Sequence, residues 1–138
     1  MRVLIAIPVY NEIKYVAGVL QKVKQYARDV LFIDDGSTDG TAEWLAGKTR
    51  AGQAGVRLIQ HPTNKGYGQS LIDAFDYADF HGFDWVITMD CDEQHEPERI
   101  ADFLREIRND QWDIVSGSRY LREFATDNAA PDDRRRIN

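Results

Sequence analysis

Two carboxylates stand one residue apart in the run Asp90-Cys91-Asp92-Glu93-Gln94-His95, directly after the stretch Trp85-Val86-Ile87-Thr88-Met89. On an extended segment alternate side chains share a side, so Asp90 and Asp92 point one way and Cys91 the other. Two carboxylates so placed form a hard-oxygen site for Mg2+ or Mn2+, which ligand phosphates and water would complete. Glu93 and His95 are near enough to join but read as solvated loop residues. Cys91 reads as a small apolar filler, since no neighbour is there to activate its thiol.

A second acidic pair, Asp34-Asp35, closes the apolar stretch Val30-Leu31-Phe32-Ile33 and opens Gly36-Ser37-Thr38-Asp39-Gly40-Thr41. Helix capping accounts for Ser37, Thr38 and Asp39. It does not account for adjacent carboxylates at the mouth of a buried strand, which repel unless something binds them. A ribose hydroxyl or a nucleobase N–H suits them, because a carboxylate accepts two hydrogen bonds at once. Three further loops carry candidate groups. Pro8-Val9-Tyr10-Asn11-Glu12 offers Tyr10 as a ledge for a planar ring, with Asn11 as an ordinary cap of a helix starting near Glu12. His61-Pro62-Thr63-Asn64-Lys65-Gly66-Tyr67-Gly68 brings glycines and Lys65 to a helix start, a combination that can hold an anion, while His61 reads as a loop residue. Ser116-Gly117-Ser118-Arg119-Tyr120 presents Arg119, which suits a diphosphate and a surface salt bridge equally well.

The elements that must position these loops follow from periodicity. Apolar, β-branched runs at residues 3–7, 30–33, 56–59, 85–89 and 114–115 read as strands buried on both faces. Between them Val16, Val19, Leu20 and Val23 are spaced as one face of a helix. So are Leu71, Ala74, Phe75 and Ala78, and Ile100, Phe103, Leu104 and Ile107, with a weaker stripe at Ala42, Leu45 and Ala46. Pro97 fits a first helical position and Gly82 a C-terminal stop. Strands alternating with helices predict an α/β fold of βαβ units, a mostly parallel sheet and right-handed crossovers. Ligands of such sheets bind beyond the carboxyl ends of the strands, where every candidate group above falls.

Composition narrows the function classes. The 138 residues carry 17 Lys+Arg against 23 Asp+Glu, a net charge of −6, which argues against a nucleic-acid partner. Residues 119–138 reverse the balance with five arginines against four acids, three of them in the run Arg134-Arg135-Arg136. A single cysteine excludes an intrachain disulfide and fits a reducing, cytoplasmic compartment. Met1-Arg2 leads straight into Val3-Leu4-Ile5 with no signal-peptide pattern, and no apolar run is long enough to span a membrane. Gly47-Lys48-Thr49 lacks the upstream glycine and strand of a phosphate-binding loop, and neither a dinucleotide fingerprint nor a Ser-His-Asp arrangement stands out.

Taken together, Ile7-Pro8-Val9-Tyr10-Asn11-Glu12, Asp34-Asp35-Gly36-Ser37-Thr38-Asp39-Gly40-Thr41, Asn64-Lys65-Gly66, Asp90-Cys91-Asp92-Glu93-Gln94-His95 and Gly117-Ser118-Arg119-Tyr120 resemble the family 2 glycosyltransferases of the GT-A fold. Within them the run resembles the dolichyl/polyprenyl-phosphate sugar synthases, with Cys91 in place of the usual alanine. The resemblance implies a Rossmann-like sandwich, with helices on both faces of the sheet. The implied activity is inverting transfer of a sugar from a UDP- or GDP-linked donor, with a lipid phosphate as the acceptor of that branch and cell-envelope glycan as its setting. It implies that Pro8, Tyr10 and Glu12 border the nucleotide, that Asp35 reads the base and that Asp34 supports the turn. Lys65 would face the donor, Asp90 the ribose and metal, and Asp92 the metal. Gln94 would sit against metal or donor and Arg119 against phosphates. Arg134, Arg135 and Arg136 are the candidates for acceptor and donor phosphates.

The expected organisation is a nucleotide-sugar-binding core over residues 1–123 and a polar, basic segment over 124–138 that begins an acceptor-side region. Membrane contact, at the inner face, is expected only from sequence beyond that segment. Two other readings stay open. A strand followed by Asp-x-Asp is shared with haloacid-dehalogenase-like phosphatases, whose first Asp is the nucleophile, although there the pair follows the first strand. A non-catalytic nucleotide-sugar-binding domain would keep the same pocket.

Overall fold

A computed structural model describes residues 1–92, 96–109 and 111–117. Within them the order is β1 (Val3–Val9), α1 (Val16–Val23), β2 (Asp29–Asp34), α2 (Thr41–Arg50), β3 (Val56–Gln60), α3 (Tyr67–Phe80), β4 (Trp85–Thr88), a 3-10 turn (Pro97–Arg99) and α4 (Ile100–Ile107). The four strands form one sheet in the order β3-β2-β1-β4, and every pairing is parallel. The predicted α/β architecture is the observed one. The chain forms two compact units, Met1–Phe103 and Leu104–Asn138. The sheet and all the described candidate groups belong to the first.

The two central strands carry the core. Leu4, Ile5, Ala6 and Ile7 of β1 and Val30, Leu31, Phe32 and Ile33 of β2 are all fully buried. On one face Leu4, Ala6, Leu31 and Ile33 pack with Ala74 and Ala78 of α3, edged by Ile59, Tyr77, Phe83 and Val86. Alternation sends Ile5, Ile7, Val30 and Phe32 to the opposite face. Right-handed crossovers carry α1 and α2 to that face, because β1, β2 and β3 wind in one direction and β4 returns to the other side of β1. The winding therefore reverses between β1 and β4. That crevice is where an open parallel sheet receives a ligand.

Several local expectations change. The outer strands are not buried on both faces: β3 and β4 each keep one buried residue, Val56 and Ile87, because they are the sheet's edges among the described residues. Residues 114–115 form no strand, and Ile114 is 84% exposed; two apolar residues give too few ladder bonds to hold an added strand. The stripe of α3 runs through Ser70, Ala74 and Ala78, while Phe75 faces solvent. The sheet lies against the small side chains, so the helix approaches closely on that side. α1 starts at Val16 rather than near Glu12, after a turn in which Glu12 O accepts from Tyr15 and Val16 N–H. Pro97 opens the 3-10 turn and Gly82, at φ 67°, follows α3, as their types predict.

Candidate active site

The loop after β2 is stitched to the loop after β1. Asn11 has a left-handed backbone, φ 57°, which asparagine tolerates better than most residues. It caps no helix. Its N–H donates to Ser37 Oγ at 2.9 Å, and its Oδ1 accepts from Thr38 N–H at 2.8 Å. Glu12 N–H donates to Thr41 Oγ1 at 3.0 Å, and Ile13 N–H to Asp39 Oδ2 at 3.1 Å. Gly40 occupies the cap position of α2, and Asp39 just before it accepts from Thr41 N–H and hydroxyl at 3.0 and 2.6 Å. Burial pushes the Asp39 carboxyl up, but these hydrogen bonds from Thr41 and Ile13 outweigh it and hold the pKa below its ordinary value. The polar residues of the Asp-Gly-Ser-Thr-Asp-Gly-Thr run thus fix Tyr10 and Glu12 over the ends of β1 and β2.

The loop after β3 closes on Asp35. Lys65 N–H donates to Asp35 Oδ1 at 2.7 Å and Gly66 N–H to Oδ2 at 2.9 Å. The anion held by this glycine-bearing loop is therefore an internal carboxylate. His61 is not a solvated loop residue either, being 6% exposed. Its Nδ1 lies 2.7 Å from Asp35 Oδ1 and its Nε2 2.5 Å from Asp73 Oδ2, and Gln69 Nε2 donates to Asp73 Oδ1 at 2.9 Å. Burial raises the Asp35 carboxyl, yet the His61 side chain and the two amides pull its pKa below the ordinary value. The bond from Gln69 leads in lowering Asp73, against burial. For His61 burial lowers the pKa, but the two carboxylates outweigh it and raise it. The repulsion that the sequence suggests for Asp34-Asp35 is thus largely relieved from within. Asp34 Oδ2 accepts from Ser37 N–H at 3.4 Å, in support of the turn, while its buried Oδ1 has no partner among the described residues.

Gly36, at φ 77°, is required where these loops meet: a Cβ there would lie 2.6 Å from the backbone of both Thr63 and Asn64. Only a residue without a side chain lets the loop after β3 pass so close to Asp35.

The loop after β4 brings the second acidic pair to the same end of the sheet. Met89 N–H donates to Ala6 O at 3.1 Å, carrying the β1–β4 ladder up to Asp90. Met89 and Cys91 are buried, whereas Asp90 and Asp92 are partly exposed, so the pair shares the outer side as alternation predicts. Burial pushes the Cys91 thiol up to about 12, with Glu12, Asp92 and Asp90 adding to it, so the thiol is not a nucleophile. Glu12 is raised first by burial and then by the charges of Asp92, Asp39 and Asp90, so acids after β1, β2 and β4 are close enough to act on one another. The Tyr67 phenol is raised by burial first and then by the neighbouring Asp90 carboxylate. Gly66, which donates to Asp35, and Tyr67, which feels the charge of Asp90, are consecutive, so one short stretch of chain neighbours both acidic pairs.

Of the residues expected at the site, Pro8 pairs with Ile33 within the sheet, and Tyr10 is 48% exposed above it. Lys65 is exposed and uses its amide rather than its side chain on Asp35. Gln94, Arg119, Arg134, Arg135 and Arg136 lie outside the described residues, as does the expected boundary at residue 123. His61, Asp73 and Tyr67 were not singled out for binding. Only their partners elsewhere in the chain, Asp35 for His61, His61 for Asp73 and Asp90 for Tyr67, give them meaning. Among the described residues no three His, Cys, Asp or Glu side chains gather into a ready-made metal cage. Two carboxylates, completed by phosphate oxygens and water, are nonetheless a donor set that Mg2+ takes from proteins, and the repulsion at Glu12 from Asp92, Asp39 and Asp90 fits a cation there.

The comparisons with known proteins agree with this geometry. Residues 4–138 match the model of Glycosyl transferase family 2. The undecaprenyl-phosphate mannosyltransferase of Micrococcus luteus is 37% identical over 122 residues, covering 86% of this chain and 49% of that protein. The UDP-N-acetylglucosamine–dolichyl-phosphate N-acetylglucosaminyltransferase of Methanococcus voltae is 32% identical over 125 residues, covering 82% and 50%. The chain thus spans about half the length of these curated relatives. Among solved structures, S. aureus TarS 1-349 in complex with UDP aligns with a TM-score of 0.61 at 24% identity, over 79% of this chain and 32% of that one, which supports the GT-A fold. With matching motifs at four strand ends and a family match over nearly its whole length, the chain belongs to glycosyl transferase family 2.

Proposed function

We propose that the chain is the donor-binding core of a metal-dependent, inverting glycosyltransferase, which moves a sugar from a nucleoside-diphosphate sugar to a polyprenyl phosphate at the cytoplasmic face of a membrane. The observation that carries this is the convergence of Tyr10 and Glu12, Asp35, and Asp90 and Asp92 at the carboxyl ends of β2, β1 and β4, at the switch point of the sheet. Tyr10 and Pro8 border the base, and Asp35 accepts an N–H from it, as uracil or guanine can supply. Asp90 and Asp92, joined by Gln94, would hold Mg2+ or Mn2+, which when bound offsets negative charge on the donor diphosphate. Lys65 and Arg119 add cationic groups for that diphosphate, and Arg134, Arg135 and Arg136 for the acceptor phosphate.

In the reaction an acceptor phosphate oxygen attacks the anomeric carbon from the face opposite the diphosphate. The carbon–oxygen bond to the diphosphate breaks, and its electron pair leaves with the nucleoside diphosphate. The acceptor is already an anion, so no general base is required. Stabilising charge on the leaving group is the main catalytic task, which Lys65 and Arg119 would share with the bound cation. Support for the lipid acceptor comes from the named relatives, which use undecaprenyl and dolichyl phosphates. The experiment is sugar transfer from UDP- and GDP-linked hexoses to a short polyprenyl phosphate with Mn2+, scored for the anomer formed. Inverted lipid-linked product is expected. Tight donor binding with no transfer would favour a non-catalytic binding domain.

A further inference from the structure

His61 is buried, and both of its ring nitrogens face carboxylate oxygens, Asp35 Oδ1 at 2.7 Å and Asp73 Oδ2 at 2.5 Å. A neutral imidazole has one donor and one acceptor nitrogen, so it can satisfy only one ionised carboxylate. Two carboxylates require both nitrogens to donate, which makes the ring an imidazolium. The groups facing it are Asp35 after β2, Asp73 on α3 and Lys65 in the following loop; the two acids favour the charged ring and Lys65 opposes it.

The consequence falls on Asp35. A carboxylate has about four acceptor positions, two on each oxygen. His61 and the Lys65 amide fill those of Oδ1, and the Gly66 amide takes one on Oδ2. Among the described residues one position on Oδ2 is left open. We propose that His61 is a positioning residue for the nucleotide: clamped as an imidazolium between Asp35 and Asp73, it holds the Asp35 carboxylate ionised and oriented, so that its open position can accept a hydrogen bond from the base but cannot donate one. This rests on the reading of Asp35 as the base contact. An acceptor-only carboxylate suits the ring N–H of uracil, thymine or guanine. It disfavours cytosine and adenine, whose corresponding ring nitrogens are acceptors and would leave both groups unpaired.

Two measurements test it. The 15N shifts of the ligand-free chain at pH 7.5 are expected to show both His61 nitrogens protonated, the resonance being identified by its loss in His61→Gln. A ring with one unprotonated nitrogen overturns the proposal without any variant having to fold. Titrations then compare UDP, GDP, CDP and pyrophosphate, each with Mn2+, on the native chain, His61→Gln and Asp73→Asn. Whichever of UDP or GDP binds the native chain is expected to weaken about tenfold or more in both variants. Its preference over CDP should shrink, while pyrophosphate affinity holds. Unchanged nucleotide affinity, or an equal loss for pyrophosphate, overturns it. If the native chain binds neither UDP nor GDP, the donor reading itself has failed and takes this proposal with it.

Discussion

Asn11 and Gly36 show how single residues decide the site's geometry. Asn11 combines a φ of 57° with hydrogen bonds to Ser37 and Thr38. Asn11→Ala keeps the strained backbone and loses the side-chain acceptor, so a loss of about 1–2 kcal/mol is expected in urea unfolding. Asn11→Gly relieves the strain and should lose less. Gly36→Ala forces a Cβ to 2.6 Å from two backbone groups. A loss of about 3 kcal/mol or more is expected, read as a lower thermal midpoint, or no soluble protein at all. Glu12 carries a different signature, since it is held against the charges of Asp92, Asp39 and Asp90. Glu12→Gln should raise the stability of the free chain at neutral pH and weaken donor binding. A destabilised Glu12→Gln chain would show that the acids do not repel one another. Residue types alone announced Asp35, Asp90 and Asp92, because acids at the ends of apolar strands have few structural uses. They misread His61 and Asn11, whose roles depend on partners in other loops.

At the scale of elements, the central strands and the first helix were legible, because a continuous apolar run or a helical stripe has a single way to be buried. Leu31 is fully buried between β1 and β3 and packs toward α3. Leu31→Ala should cost about 3 kcal/mol, checked by chemical unfolding. Phe75 belongs to the apparent stripe of α3, yet it is 51% exposed, and the buried line runs through Ser70, Ala74 and Ala78. Phe75→Ser is therefore expected to change stability by no more than about 0.5 kcal/mol, where a core phenylalanine would cost several. Periodicity did not separate the two, because apolar type favours Phe75 although it stands one residue past Ala74, whereas Ser70, four residues before Ala74 on the buried line, is polar. The failed strand at residues 114–115 has a similar cause: two apolar residues carry no period.

At the scale of the molecule, charge links folding to pH. His61 has its pKa raised from 6.5 by the carboxylates that outweigh its burial, so its contribution is complete below 6.5 and fades as the pH rises through the folded value. Asp35, Asp39 and Asp73 are lowered from 3.8, so theirs are complete above 3.8 and fade as the pH falls through the folded values. Stability should be greatest between these limits, measured as the urea midpoint against pH, and His61→Gln should flatten the alkaline side. The winding reversal between β1 and β4 could be anticipated only as a rule about parallel sheets; strand order is what locates it. At that reversal the acids of three loops meet, and the central claim is that they receive a nucleoside diphosphate together with a divalent cation. Calorimetric titration of the 138-residue chain with UDP-, GDP- and dTDP-linked sugars tests this most directly, with Mn2+ and with EDTA, in native and Asp92→Ala forms. Binding of at least one donor that needs Mn2+ and drops at least about tenfold in Asp92→Ala is the result expected. No binding by any of the three, or binding indifferent to both the cation and Asp92, would contradict it.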